Sequence, residues 1–248
     1  MSVLEAERQL TRNTHQRFHN LIAKAIEHAP LRVAVVHPCD QVSLESAAAA
    51  AKMNLIQPIL VGPKERIHAV ASDNKIDISG FEIVDAEFSE DSAGKAVELV
   101  REGRAEALMK GSLHTDELMR AVVKRDIGLR TARRISHCFV MDVPGHDQPL
   151  IITDAAVNIA PDLKTKMDIT QNAIDLAHAL GSKEVKVAIL SAMESVNPDV
   201  PSTLEAAALC KMADRGQITG AQLDGPLALD NAISPQAAAI KKITIEEK

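Results

Sequence analysis

Apolar and polar positions follow two rhythms along this chain. Short apolar runs rich in β-branched residues at 32–37 (RVAVVH), 57–62 (QPILVG), 81–85 (FEIVD) and 105–109 (AEALM) read as strands. Between them the apolar positions recur every three or four residues, as an amphipathic helix requires. The first such helix spans 14–29, with Phe18, Leu21, Ile22, Ala25 and Ile26 on one face and Pro30 as its stop. Further helices are predicted at 43–53, where alanines dominate, after Pro63 through KERIHAVASD, at 91–102 and at 115–124. Strands alternating with helices need crossover connections, and these build a parallel sheet covered on both faces. The first half therefore predicts a doubly wound α/β domain. Its ligand side lies at the carboxyl ends of the strands, where His37-Pro38 and Lys110-Gly111-Ser112 fall.

The rhythm changes after the helix at 115–124. Runs at 135–143 (ISHCFVMDV) and 149–154, joined by Pro144-Gly145-His146-Asp147, predict a hairpin and bring in antiparallel pairing. A boundary near Arg133 gives two domains, 1–133 and 134–248. The second continues with a loop through Asn158 and Pro161 and a helix from about Leu163 that Gly181 ends. A strand at 185–190 and a loop with two prolines lead to a helix opened by Ser202 or Thr203, with Glu205 placed for a capping box. A strand at 217–224 ends in Gly225-Pro226, and a last helix pattern runs from Leu227 through Ala239.

Candidate chemistry concentrates at 105–120, AEALMKGSLHTDELMR. A strand that stops at Lys110-Gly111-Ser112 and turns into a helix at Thr115 offers exposed N–H groups, the positive end of a helix dipole, a Gly for close approach and an ammonium. All of these favour phosphate. An ordinary strand-to-helix turn has the same pattern. His114 at the helix start is either an acid or base or a capping residue. Lys124, Arg125, Arg130, Arg133 and Arg134 crowd together with Asp126 the only acid among them. That is either a solvated basic face or a place for a multiply charged ligand, since guanidinium forks match phosphate oxygens. Asp142, Asp154 and Asp224 each close an apolar run.

Composition narrows the partners. The 248 residues are 46% hydrophobic and 25% charged, with net charge −6, so a sizeable core and an ordinary soluble chain are expected. No Trp or Tyr and four Phe leave no platform for stacking bases, which argues against nucleic acid. Cys39, Cys138 and Cys210 show no ligand spacing and fit a reduced, cytoplasmic protein. No signal peptide, no membrane-spanning run and no dinucleotide, Walker, zinc or nucleophile-elbow motif is present.

Five stretches together resemble the phosphate acetyltransferase/phosphate butyryltransferase family, in its shorter butyryltransferase-like branch. They are MKGSLHTDELMRAVV, GLRTARRISHCFVMDVPG, ITDAAVNIAPDLKTKMDITQNAIDLAHALG, AILSAMESVNPDVPSTLEAAALCKMADRG and LDGPLALDNAIS. The resemblance implies two α/β/α domains of the isocitrate/isopropylmalate dehydrogenase-like class, with an interdomain cleft. It implies reversible transfer of an acetyl or butyryl group between coenzyme A and phosphate, with no metal and no tightly bound cofactor, in a cytoplasmic homodimer. The implied ligands are acyl-CoA or CoA and phosphate or acyl phosphate, with no membrane and no nucleic acid involved. By the same analogy Lys110, Gly111 and Ser112, with His114 and Thr115, hold the phosphate. Arg120, Arg130 and Arg134, with Ser136 beside them, meet acyl phosphate or CoA phosphates. Asn158, Asp224 and Gly225 line the opposite wall. The family pattern continues past the AIS region with a segment carrying a Ser-Arg pair and an Asp, whereas this chain ends in KKITIEEK. The resemblance thus puts the catalytic Ser, Arg and Asp beyond this chain and implies impaired transfer by it alone. The alternative is a non-catalytic binding subunit that retains the fold.

Overall fold

The computed structural model describes residues 16–143 and 149–240, the side chains of Gln16 and Pro235 apart. The turn expected at Pro144-Gly145-His146-Asp147 lies outside the described residues. Backbone contacts divide the chain into two compact units, Gln16–Ala132 and the residues from Arg133 on.

The first unit runs α1 (Gln16–Ile26), β1 (Leu31–Val36), α2 (Gln41–Lys52), β2 (Ile56–Gly62), α3 (Lys64–Asn74), β3 (Glu82–Asp85), α4 (Ser89–Arg101), β4 (Ala107–Lys110) and α5 (Thr115–Val122). Its four strands are parallel in the order β3-β2-β1-β4, with Val35 beside Leu60 on one side and Met109 on the other. Side chains alternate across the sheet as the period of two demands. Ala34, Val36, Ile59 and Val61 pack with Ala93, Ala96 and Leu99 of α4 and with Leu118 of α5. Val35 and Leu60 pack with Leu44 and Ala47 of α2 and with Ile67 and Ala71 of α3. The sheet is therefore doubly wound. Leu44, Leu60 and Ile67 are fully buried, each contributing about 1.5–3 kcal/mol by removal from water.

The strand order decides where a ligand fits. The chain builds β1, β2 and β3 outward in one direction, then crosses back to lay β4 on the other side of β1. Helices after β1 and β4 leave toward opposite faces, which opens a crevice at the carboxyl ends of these two strands.

The second unit opens with β5 (Cys138–Met141) and β6 (Leu150–Thr153), paired antiparallel with Cys138 beside Thr153, as the apolar runs predict. Then come α6 (Leu163–Ala179), β7 (Lys186–Leu190), α7 (Pro201–Asp214), β8 (Gln222–Leu227), α8 (Leu229–Ile233) and α9 (Pro235–Ile240). Helix α6 starts on Asp162, whose carboxylate accepts the Thr165 N–H at 2.8 Å, and ends at Gly181 with φ 98°. Strands β7 and β8 are parallel. Ile174, Leu209 and Ile218 form the core, with Val187, Ile189 and Leu223 of that pair packed against it. Among the described residues the two strand pairs are separate two-stranded sheets.

Three local expectations change. Helix α7 begins at Pro201, because proline suits the first helical position. The Ser202 hydroxyl lies 2.7 Å from that of Ser191, and Glu205 pairs with Lys166 of α6 instead of closing a capping box. Strand β8 continues through Gly225-Pro226 to Leu227 rather than stopping at Asp224. A Cβ at Gly225 would sit 2.8 Å from both Cβ and O of Ile189, so this glycine lets β8 lie against β7. The single helix expected at 227–239 is broken at Ser234, which is extended (φ −131°, ψ 111°) ahead of Pro235, the conformation that sterics favour before proline.

Candidate functional site

The carboxyl ends of β1 and β4 meet at a crossing of backbones. The Gly111 N–H donates to Val36 O at 2.8 Å and the Ser112 N–H to His37 O at 2.9 Å. The Ser112 hydroxyl donates to the same His37 carbonyl at 2.9 Å and accepts from the Cys39 N–H at 3.2 Å. The N–H groups of Gly111 and Ser112, read from the sequence as free donors, are thus used inside the fold. The donors left over at this corner are instead the N–H groups of Thr115 and Asp116, the first two of α5, which a helix leaves without carbonyl partners, while that of Glu117 belongs to a capping box with His114.

Helix α5 has His114 at its N-cap, and His114 and Thr115 are both exposed. Glu117, in the first turn, accepts the His114 N–H at 3.0 Å and the Ser89 hydroxyl of α4 at 3.1 Å. Lys110 folds over the turn and donates to the carbonyls of Gly111 at 3.2 Å and Leu113 at 2.8 Å. Across the crevice Asp40 caps α2. Hydrogen bonds from the Ser43 hydroxyl and N–H hold its carboxyl below the ordinary range, with Lys110 and Arg66 adding to the effect.

His37 is buried, and burial lowers its pKa; the Arg66 charge lowers it further and Glu117 works the other way. Cys39 next to it is buried, and its thiol is pushed up by that burial. A thiol in this state is a packing group rather than a nucleophile.

Arg120 sits at the far end of α5, exposed, with Glu90 at 3.1 Å and Asp116 at 3.5 Å. Arg130 is exposed with no partner among the described residues. In the second unit, Asn172 of α6 draws two predicted residues together, donating to Arg134 O at 2.9 Å and to the Ser136 hydroxyl at 3.0 Å. The Arg134 N–H donates to the buried Asp168 carboxylate at 3.0 Å. Asn158 joins the same segment by donating to Ile135 O at 3.0 Å and to Asp154.

Asp154 organises that loop. Its carboxylate accepts the N–H groups of His137, Ala156, Val157 and Asn158 at 3.0–3.2 Å. Burial alone would raise its pKa, but the hydrogen bonds from Asn158 and the backbone outweigh it and hold the carboxyl below its ordinary value. Asp224 and Gly225 belong to β8, where the Gly225 N–H donates to the Asp224 carboxylate at 2.8 Å.

Lys110, Gly111, Ser112, His114 and Thr115 therefore share one corner of the first unit, while Arg134, Ser136 and Asn158 share one loop region of the second. Sequence reasoning missed Ser89, Ser92 and Glu117. The signal for Glu117 was its place three residues after the helix start, and for the two serines their place in the first turn of α4. Among the described residues no group of His, Cys, Asp and Glu has the arrangement of a metal site, and no helix is long and apolar enough to cross a membrane.

A family model described as phosphate acetyl/butaryl transferase matches residues 17–95 and 86–246. A phosphate acetyltransferase of Rhizobium meliloti is 60% identical over 227 residues, covering 92% of this chain and 72% of the relative. A phosphate butyryltransferase of Clostridium beijerinckii is 42% identical over 229 residues, covering 92% of this chain and 76% of the relative. Among solved structures, a branched-chain phosphotransacylase from Enterococcus faecalis V583 superposes with a TM-score of 0.71 at 29% identity. That match covers 86% of this chain and 74% of the other.

Proposed function

Because the chain belongs to the phosphate acetyltransferase and butyryltransferase family, we propose that it transfers an acyl group between coenzyme A and inorganic phosphate. Acetyl phosphate is the first acyl donor to test, since the relative at 60% identity is named an acetyltransferase and the butyryltransferase matches at 42%. The observation that carries this reading is the corner where β1 and β4 end: the open first turn of α5 and the Lys110 ammonium lie at the ligand edge of a parallel sheet.

The chemistry needs such a corner. As the thiol sulfur of coenzyme A, losing its proton, bonds to the carbonyl carbon of an acyl phosphate, an oxyanion develops on the carbonyl oxygen. The C–O bond to the phosphoryl group then breaks and phosphate departs as the dianion, the proton given up by the thiol balancing its charge. N–H groups and cations fixed in advance stabilise both charges without reorganising during the reaction. In our assignment the phosphoryl group lies at the N–H groups of Thr115 and Asp116, with His114 and Lys110 beside it. Arg120 and Arg130 supply guanidinium forks for phosphate oxygens, and in the second unit Arg134, Ser136, Asn158, Asp224 and Gly225 are assigned to substrate contact. Both reactants arrive and leave as substrates, so the scheme calls for no resident cofactor.

We place the activity in the cytoplasm, which three cysteines without disulfides suit. We also propose a homodimer, supported by the exposed Phe139, Val140, Met141 and Ile152 of the β5–β6 hairpin; sedimentation showing only monomer at working concentration rejects it.

The test of function is thioester formation from coenzyme A with acetyl phosphate and, separately, butyryl phosphate. Turnover proportional to protein and abolished by denaturation is expected. Failure with both donors, in protein that remains folded, overturns the proposal.

A further inference from the structure

We propose that His37 is a positioning residue of the phosphate corner, its ring fixed on α4 and its carbonyl on the Lys110-Gly111-Ser112 turn, so that it sets where the first turn of α5 stands. The inference rests on the acyl-phosphate reading above. His37 has φ 54°, a left-handed backbone that residues other than glycine adopt sparingly, and only 6% of it is exposed. An unusual conformation held in a buried place at a topological switch point is where function is to be sought.

The hydrogen bonds determine the state of the ring. Ser92 Oγ donates its one hydrogen to Phe88 O at 2.8 Å, as a helical serine does toward the carbonyl four residues back. Toward His37 Nδ1, 3.0 Å away, the same oxygen can only accept. In that arrangement the His37 tautomer with its proton on Nδ1 satisfies both contacts. Burial and Arg66 disfavour a second proton, against the pull of Glu117. A neutral ring brings no charge to a phosphate, which favours a structural part for it.

The carbonyl supplies that part. It accepts from Cys39 N–H at 2.8 Å, from Ser112 N–H at 2.9 Å and from the Ser112 hydroxyl at 2.9 Å. Three residues after Ser112 the chain enters α5, whose other tether is Ser89 of α4 through Glu117. The first turn of α4 thus braces α5 by two routes, one through Glu117 and one through His37.

The experiment compares His37→Asn, His37→Leu and Ser92→Ala in the full chain. Asparagine keeps an N–H donor near the Nδ1 position and tolerates the left-handed backbone; leucine keeps neither. The readouts are kcat and KM for acetyl phosphate, the pH profile of kcat, and the dissociation constant of inorganic phosphate from the amide shifts of Ser112 and Thr115. Positioning predicts that His37→Asn stays within about threefold of the parent, whereas His37→Leu raises KM and the phosphate constant about tenfold with a smaller loss of kcat. Ser92→Ala, which leaves the backbone geometry possible, shifts the same constants in the same direction and serves if His37→Leu does not fold. The pH profile keeps its shape throughout.

A fall of kcat in His37→Asn with a flattened pH profile overturns the proposal in favour of proton transfer at Nε2. Unchanged phosphate binding in a folded His37→Leu overturns it outright. If the parent binds phosphate without turnover and His37→Leu weakens that binding, the transferase reading fails and the positioning inference stands.

Discussion

A Cβ at Gly111 would lie 2.5 Å from the carbonyl oxygen of Val36, so these two residues meet backbone to backbone where β4 leaves the sheet. His37 O and C stand at 2.7 and 2.8 Å from the same point. All three atoms are main chain, and none can swing away. Gly111→Ala is expected to destabilise the first unit by about 2–3 kcal/mol, the scale of overpacking in a closed site. It should also weaken substrate binding by moving Ser112. Thermal unfolding followed with acetyl phosphate kinetics checks both; an unshifted melting temperature rejects the clash.

Gly225 tests the same idea in the second unit. Alanine there would press on Ile189 Cβ and O, each 2.8 Å away, and loosen the β7–β8 pair. A loss of about 1–3 kcal/mol is expected, read as reduced amide protection in β7 and β8.

Arg120 separates binding from stability. Its ion pairs with Glu90 and Asp116 are solvent-exposed, and such pairs are worth about 0–1 kcal/mol. Arg120→Ala should leave unfolding almost unchanged while raising KM for acetyl phosphate. A wild-type KM removes Arg120 from the site.

Acid should undo the protein in two stages. The unfolded histidine titrates near ~6.5 and the buried His37 lower, so the unfolded chain takes the proton first and stability falls as pH drops below about 6.5. Asp154 and Asp40 are held below their unfolded value of ~3.9; their contribution is present above it and is lost as pH falls through the folded values. Asp154→Asn should therefore cost about 1.5–3 kcal/mol at neutral pH and flatten the acid limb below pH ~4. Urea midpoints across pH provide the measurement; a limb of parental steepness argues against the Asp154 crown.

The thiols should differ in reactivity. Burial pushes the Cys210 thiol up to about 11, with Asp224 and Asp214 adding to it, and burial raises that of Cys39 as well. At neutral pH a thiol reagent is expected to spare both in the native state, leaving Cys138 in β5 as the one modified. Rapid labelling of Cys39 would show that the end of β1 opens.

Much of the architecture was legible because periodicity is a local property. The alternation of apolar strands and amphipathic helices up to Thr115 dictated a parallel sheet covered on both faces, and the paired apolar runs around residues 138–153 dictated antiparallel pairing. The KGS turn was legible as a strand-to-helix junction for the same reason. The break at Ser234-Pro235 and the start at Pro201 were misplaced because proline's effects on its neighbours competed with a strong helical pattern.

Tertiary structure alone decided how the corner is wired. The order β3-β2-β1-β4 sets the end of β1 against the end of β4, residues more than seventy positions apart, and no local pattern encodes that adjacency. It turned the N–H groups of Gly111 and Ser112 from free donors into ties on Val36 and His37, left the first turn of α5 open, and gave His37 its partner on α4. The sequence by itself determined the residue types and the element rhythm, because backbone hydrogen bonding and side-chain period act over a few residues. Which carbonyl each donor finds was decided by the packing of strands that meet only in the folded chain.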